Sequence, residues 1–252
     1  MKTVNLIGYG NVGYHLAHAL MQSAHYRLQA IYARDVLVSD PLFPELFVHK
    51  MDEIPVADIT IISVTDHAIG TISEQLPFEN QLVIHTSGTF SIDGLSSKNR
   101  KGVLYPLQTF SKTKQIDFSM VPLCIEAAHS HDFDTIEQLA QSLSYKVISI
   151  SSEQRQHLHI TAVFVCNFVN HLFTIGKDIA DANEIPFDIF YPLIEETVSK
   201  IKEMNPAKAQ TGPAIREDYE TIDKHLLKIS NDNYKKIYKL LTNSIIQHGK
   251  KL

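Results

Sequence analysis

The sequence has only two cysteines in 252 residues, Cys124 and Cys166, and they do not form a Cys-x-x-Cys pair. That argues against a disulfide scaffold or a zinc ribbon and suits a reducing compartment. A dense Lys/Arg block is missing too; Lys235-Lys236 and Lys250-Lys251 read as ordinary solvated positions near the C-terminus. With a formal net charge of −5, bulk electrostatics do not draw the chain to nucleic acid. Long apolar runs are scarce. MKTVNLIGYG has too short an apolar segment before its glycines to be a signal peptide. The longest apolar region, 160–175, is interrupted by Asn167, Asn170 and His171, and reads as too short and too polar to span a bilayer. The expectation from these absences is a soluble cytoplasmic protein without a membrane or nucleic-acid partner.

What is present is enough apolar residue to build a core: 44% of the chain, against 20% charged. Such a chain makes one large domain or two modest ones. Up to about residue 150, short β-rich runs alternate with helical segments. The strands expected are 3–7, 28–33, 59–64, 82–85, 102–105, 123–127 and 146–150. Several are nearly unbroken apolar runs, as strands covered on both faces should be. Helices are expected over 12–22, 68–75 and 133–143. The alternation indicates an α/β, doubly wound, mostly parallel sheet in residues 1–150.

From residue 151 the strand signals stop, and 151–252 reads as an all-α domain. Ser151 and Gln154 form a capping-box pattern for a long helix reaching about residue 182. Further helices are expected over 190–204, 217–229 and 233–248, with Asn205-Pro206 and Thr211-Gly212-Pro213 marking the loop between the first two of these.

The stretch NLIGYGNVGYHLAHAL carries Gly8, Gly10 and Gly13 between the first strand and the first helix. In that context each glycine has a separate use. Gly8 makes the tight turn, Gly10 lets a pyrophosphate approach the backbone, and Gly13 lets helix and sheet pack closely. Tyr9, Asn11 and Val12 complete the loop, whose free N–H groups at the positive end of the helix would hold phosphate. An NAD site usually has an acidic residue about 20 residues beyond the glycines. Here the second strand ends at Tyr32-Ala33 and Arg34 follows, so a 2′-phosphate partner and NADP are favoured; Asp35 keeps NAD as the less favoured alternative.

Ligands of an open α/β sheet collect beyond the carboxyl ends of the strands. Three further segments therefore belong near the cofactor: 63–66 with Thr65, 85–88 with His85 and Ser87, and 105–108. Thr65 and Ser87 are candidates for the cofactor and His85 for a small polar substrate. The alternative is that Thr86, Ser87, Ser91 and Asp66 only cap turns and helices. His129-Ser130-His131-Asp132 lies where Ser130 or Asp132 would cap a helix, and no other Cys or His spacing supports a metal site.

The helix containing HLHITAVFVCNFVNHLFTIG is apolar on most sides and is expected to be buried and central. At about 100° per residue, His159, Asn167, Asn170 and Thr174 fall within an arc of roughly 80°. Such a stripe faces a polar cavity, another subunit or the nucleotide domain, or is a hydrogen-bonded structural feature. A histidine on it, in a cleft between the two domains, could exchange a proton with a substrate during hydride transfer. In the later loop TGPAIRED, Thr211 begins a turn that could bind an anion and Arg216 could hold a carboxylate; a helix start with a surface ion pair is the alternative.

GYGNVG, HTSG, PLQTF, the His159…Asn167 helix and TGPAIRED…His225 together resemble a family of bacterial Rossmann-like proteins with a helical C-terminal domain of unknown function. The resemblance covers essentially the whole chain. The wider superfamily includes 6-phosphogluconate and 3-hydroxyisobutyrate dehydrogenases, pyrroline-5-carboxylate reductases and deazaflavin-dependent NADP oxidoreductases. Resemblance to it implies NAD(P)-dependent hydride transfer and a homodimer formed through the helical domain. Two positions depart from the pattern. Val163 stands where the hydroxyacid dehydrogenases carry a lysine, and Tyr105-Pro106 stands where the closer family commonly has His-Pro. The resulting expectation is an NADP(H)-dependent oxidoreductase with His159 and Asn167 catalytic, and with His85, Asn170, Thr211 and Arg216 on the substrate. A non-catalytic NADP(H)-binding sensor or interaction protein is the alternative.

Overall fold

Continuous apolar runs fold as strands buried on both faces. In the computed structural model, which describes residues 1–250, eight strands form one sheet. They are β1 (Lys2–Ile7), β2 (Tyr26–Tyr32), β3 (Phe47–Val48), β4 (Ile59–Ile62), β5 (Leu82–His85), β6 (Arg100–Pro106), β7 (Leu123–Ala127) and β8 (Val147–Ser149). Their order is β3-β2-β1-β4-β5-β6-β7-β8, and every neighbouring pair is parallel except β6–β7. This is a Rossmann-like doubly wound sheet, with its order reversing between β1 and β4.

Period-two alternation assigns side chains to the two faces. Leu6, Ile61 and Ile84 enter one buried cluster with Leu16 and Leu20 of α1 (Asn11–Met21) and Ile136 and Leu139 of α3 (Ser130–Leu143). Their neighbours Ile7, Ile62 and Val83 enter the other, with Ile69 of α2 (Asp66–Gln75). β3 is the strand that the sequence pattern did not suggest; two residues are too few for a period.

Two compact units divide at Cys166/Asn167. The first ends in α4 (Ser152–Ala162), which starts with the capping box: Ser151 Oγ accepts from the Gln154 N–H and Gln154 Oε1 from the Ser151 N–H. A π-helical segment, Val163–Phe168, continues α4 into α5 (Val169–Asp181). A π turn bonds i to i+5, so each residue advances the helix face by less than in α geometry. The α-periodic arc projected from His159 to Asn170 is therefore broken on the way.

The second unit contains α5, α6 (Tyr191–Glu203), the short α7 (Pro206–Ala209), α8 (Tyr219–Lys228) and α9 (Asp232–Gly249). Asn231 and Asp218 cap α9 and α8 through their side chains. His225 Nδ1 bonds the Tyr238 hydroxyl at 2.8 Å, joining α8 to α9, and the Tyr234 hydroxyl donates to Asp178 of α5.

The expectation that the 160–175 region is buried does not hold. Ser152–Asp181 runs as one 30-residue helical stretch; its most apolar 18-residue window has mean hydropathy 1.5, and no residue of that window is buried. By length and composition it is also long and apolar enough to cross a membrane, contrary to the expectation of a segment too short and too polar. The π segment joins what read as one interrupted run into a longer helix.

Candidate functional site

The turn after β1 is built as three glycines require. Gly8 has φ +100°, and a Cβ on it would lie 2.4 Å from the Ser63 carbonyl oxygen. A Cβ on Gly13 would lie 2.3 Å from the Gly8 carbonyl oxygen, so α1 can approach the turn only through a glycine. Gly10 differs: nothing lies within 4 Å of the position its Cβ would take. It is also the N-cap of α1 and offers no side-chain cap. The start of α1 is thus open beside Gly10 and has no side-chain cap, and the positive end of a helix favours an anion.

Tyr9 secures this loop from behind. Its buried hydroxyl donates to Asp40 Oδ2 at 2.7 Å, and its ring meets Phe47 edge-on at 5.0 Å. Burial, then the bond to Asp40, raises the Tyr9 phenol above its usual range, so it remains the donor. Burial acts to raise the Asp40 carboxyl as well, but bonds from Tyr9, the Leu42 N–H and His18 outweigh it and hold it low.

A pocket of about 920 Å³ opens along the carboxyl ends of the strands. Gly8, Tyr9, Gly10, Asn11 and Val12 line one part of it, and Arg34, Thr65, Ser87, Gly88 and His159 line others. Every one of these belongs to the first unit. The site therefore lies at the switch point of the strand order, where such sheets bind ligands. Arg34, just beyond β2, is exposed on the pocket wall. Asp35 also lines the pocket, but one of its oxygens is held by the Leu37 N–H at 2.9 Å in a turn. Thr65 is the N-cap of α2 without a side-chain cap bond. Ser87 Oγ accepts from the Thr89 and Phe90 N–H groups at 3.0 and 2.9 Å, so it shapes its loop while lining the pocket.

At the far end, His159 of α4 meets the HTSG loop. Its Nδ1 lies 3.2 Å from the Tyr105 hydroxyl at the end of β6. A Cβ on Gly88 would come within 2.6 Å of that Nδ1 and 2.9 Å of Tyr105 Cζ. The glycine is thus required for the loop to touch the pair.

His85, expected on the substrate, sits elsewhere. It is fully buried, accepts the Ser87 N–H at Nδ1 (3.1 Å), and packs edge-on against Phe90. Burial, assisted by the Arg155 charge, depresses its pKa to about 3, so the ring is neutral and supports the loop from inside.

The sequence reading missed Arg155, whose charge acts on His85, and its partner Glu126. Arg155 is fully buried; its Nη2 donates to the Phe90 carbonyl (2.9 Å) and Ser152 Oγ (3.0 Å) and lies 3.4 Å from the Glu126 carboxylate. Glu126 in turn accepts from the Ser152 N–H and hydroxyl, anchoring the start of α4. Burial lowers the Arg155 pKa and the Glu126 charge opposes it. No local signal in SEQRQH distinguishes Arg155 from an exposed helical arginine; its carboxylate partner is 29 positions earlier in the chain.

Asn167, Asn170, Thr211 and Arg216 belong to the second unit and are exposed. The Asn170 carbonyl accepts from the Thr174 hydroxyl, and Gly212 beside Thr211 has φ +104°. Asp218 accepts from the Thr221 N–H and hydroxyl, bonds that lower its pKa and mark the helix start. At the other expected cap, the N-cap of α3 is His129, while Asp132 is buried in the first turn and paired with Arg100. Among the described residues no group of three or more His, Cys, Asp or Glu could hold a metal ion.

The family described as a domain of unknown function, DUF2520, matches residues 121–245. A Bacteroides fragilis protein whose structure is described as a "putative NADP oxidoreductase" is 35% identical over 98% of each chain, with a TM-score of 0.88. Protein TM1727 of Thermotoga maritima is 18% identical over 98% of each chain, with a TM-score of 0.75. A Plasmodium falciparum pyrroline carboxylate reductase, solved with NADP bound, is 12% identical. The alignment covers 99% of this chain and 97% of that one, with a TM-score of 0.63. The last two likenesses concern the fold alone. No curated protein matches the chain.

Proposed function

This chain belongs to the DUF2520 family, and on that premise we propose that it is an NADP(H)-dependent oxidoreductase acting on a small polar substrate. One observation carries the reading. A single pocket brings an open Gly10, the uncapped start of α1, the exposed Arg34 and the histidine His159 together at the switch point of the sheet. The residues fit the cofactor: N–H groups for the pyrophosphate, and an arginine with a planar fork for a 2′-phosphate. The related B. fragilis protein's description supports the same cofactor. NADP(H) bound there would supply the hydride, leaving the protein to supply position and proton.

His159 is assigned to exchange a proton with the heteroatom of the substrate; it is half-buried, lines the pocket and touches the HTSG loop. Thr65 and Ser87, which line the same pocket, are assigned to the cofactor. Asn167 and Asn170 are assigned to orient the substrate, and Thr211 and Arg216 to receive an anionic group on it. The second unit is assigned to pair with a second copy of the chain, since five of its described residues are buried while large apolar side chains such as Leu193 and Leu240 are exposed. The cytoplasm is the compartment proposed.

The test is NADPH oxidation across a panel of carbonyl and imine compounds, followed by His159→Ala and Asn167→Ala on the compound that turns over. Both variants are expected to lower kcat, by about 10²-fold or more at His159. Full turnover in both would remove these residues from the chemistry. Tight cofactor binding with no turnover on any compound would favour a sensor.

A further inference from the structure

Tyr105 and His159 are 54 positions apart in the chain, yet they form one packed unit against the bare backbone of Gly88. The phenol oxygen and Nδ1 are 3.2 Å apart, and the rings are tilted by 59° with centroids 6.2 Å apart. His159 lines the pocket, whereas Tyr105 is not among its lining residues. The tyrosine therefore acts on the pocket through the histidine.

We propose that Tyr105 is the positioning residue of the proton-transfer site. It donates to Nδ1 of His159, which puts the proton of the neutral ring on Nε2 and suits the resting site to a substrate heteroatom that accepts a hydrogen bond, as in a carbonyl or imine compound. The proposal rests on the oxidoreductase reading above and adds a positioning residue and a substrate class to it.

The donor assignment follows from the surroundings of the phenol. Burial pushes the Tyr105 pKa up to about 12, so the resting phenol keeps its proton and is the donor of the pair. The hydroxyl has Nδ1 as its partner; were Nδ1 protonated in the neutral ring, the two groups would present hydrogens to each other unless the hydroxyl turned away. With Nδ1 accepting, the single proton of the neutral imidazole is on Nε2. That N–H is complementary to a carbonyl oxygen or an imine nitrogen, both acceptors. The reverse oxidation runs through the same groups, with the Nε2 left bare after proton transfer as its base.

Proton movement then balances without a further reagent. With the hydride that bound NADPH would supply to the substrate carbon, the π pair of the C=O or C=N bond goes to the heteroatom, which takes the proton as the Nε2–H bond breaks, while the Tyr105 proton moves to Nδ1. The Arg155 charge favours the phenolate electrostatically, opposing the effect of burial. The phenolate recovers its proton from Nδ1 as Nε2 takes one from solvent in the open pocket.

Histidine-¹⁵N NMR of the full chain tests this under mildly alkaline conditions, where an ordinary imidazole is neutral. The His159 signals are identified by their loss in His159→Gln. The wild type should show an unprotonated Nδ1 and a protonated Nε2. Tyr105→Phe should shift these signals toward a mixture of tautomers and lower kcat by about 10- to 100-fold, with KM changed by less than about threefold. NADPH affinity should remain within about twofold, because Tyr105 is off the pocket wall. Gly88→Ala provides a second variant, since its Cβ would press on Nδ1 and should move the same signals. An Nδ1–H tautomer in the wild type, or identical His159 signals in Tyr105→Phe and wild type, overturns the proposal. Failure of NADPH to bind would instead sink the cofactor reading, and the tautomer measurement would still judge the pair.

Discussion

In the first unit, every residue of β4 and β5 is buried, whereas α6 in the second unit has no buried residue at all. The contrast is not one of composition, since Leu193, Val198 and Ile201 on α6 are as apolar as the strand residues. It shows which half of the chain completes its own core. The sheet is covered on both faces by its own helices, and its pocket is held by a buried network. The helical unit leaves large apolar faces in solvent, beyond what scattered surface leucines explain. The proposed pairing with a second copy of the chain would cover those faces.

The largest expected effect lies in the buried network of the first unit. Arg155→Leu would leave Glu126 and the Phe90 carbonyl without the guanidinium, at a cost of about 3–5 kcal/mol in urea unfolding. A loss below about 1 kcal/mol would mean the ion pair is dispensable. Next, Ile61→Ala should cost about 2–5 kcal/mol regardless of protein concentration. Leu193→Ala, at a site 62% exposed, should cost less than about 0.5 kcal/mol in a lone chain. If a second copy covers α6, it should cost more, weaken the dimer in sedimentation and make melting concentration-dependent. A monomer at micromolar concentration together with a neutral Leu193→Ala would break the comparison.

A smaller effect, one of pH, separates the inside of the site from its surface. His85 titrates near 3 when folded and near 6.5 when unfolded, so the unfolded chain binds the extra proton between these values. Its contribution is fully present above pH 6.5 and is lost as pH falls toward 3. The slope is about 1.4 kcal/mol per pH unit in the middle of that window. His85→Gln should flatten stability there; an unchanged slope would mean that His85 is accessible to protons in the folded protein.

How much could be read from the sequence follows the same division. Strands such as Ile59–Ile62 were legible because burial on both faces leaves a continuous apolar run, and the glycine turn because each glycine has a steric reason. Asn11–Met21 and the Ser151 capping box were legible through local patterns. Arg155 was not, because what buries it comes from β7. The bond between Tyr105 and His159 was not, because it depends on β6 and α4 meeting at Gly88. The exposed helix was misread for a physical reason: an all-round apolar sequence says that a helix is covered, but not whether its own chain does the covering.

The smallest change goes to the surface of the pocket and to the cofactor itself. Calorimetric titration of nucleotide-free protein with NADPH and NADH, repeated on Arg34→Ala, is the most direct measurement. NADPH should bind more tightly than NADH, and Arg34→Ala should weaken NADPH alone by about 10- to 100-fold, as loss of a charge-assisted contact to a 2′-phosphate does. Well-folded protein that binds neither nucleotide would contradict the assignment and reduce the three glycines to a tight turn.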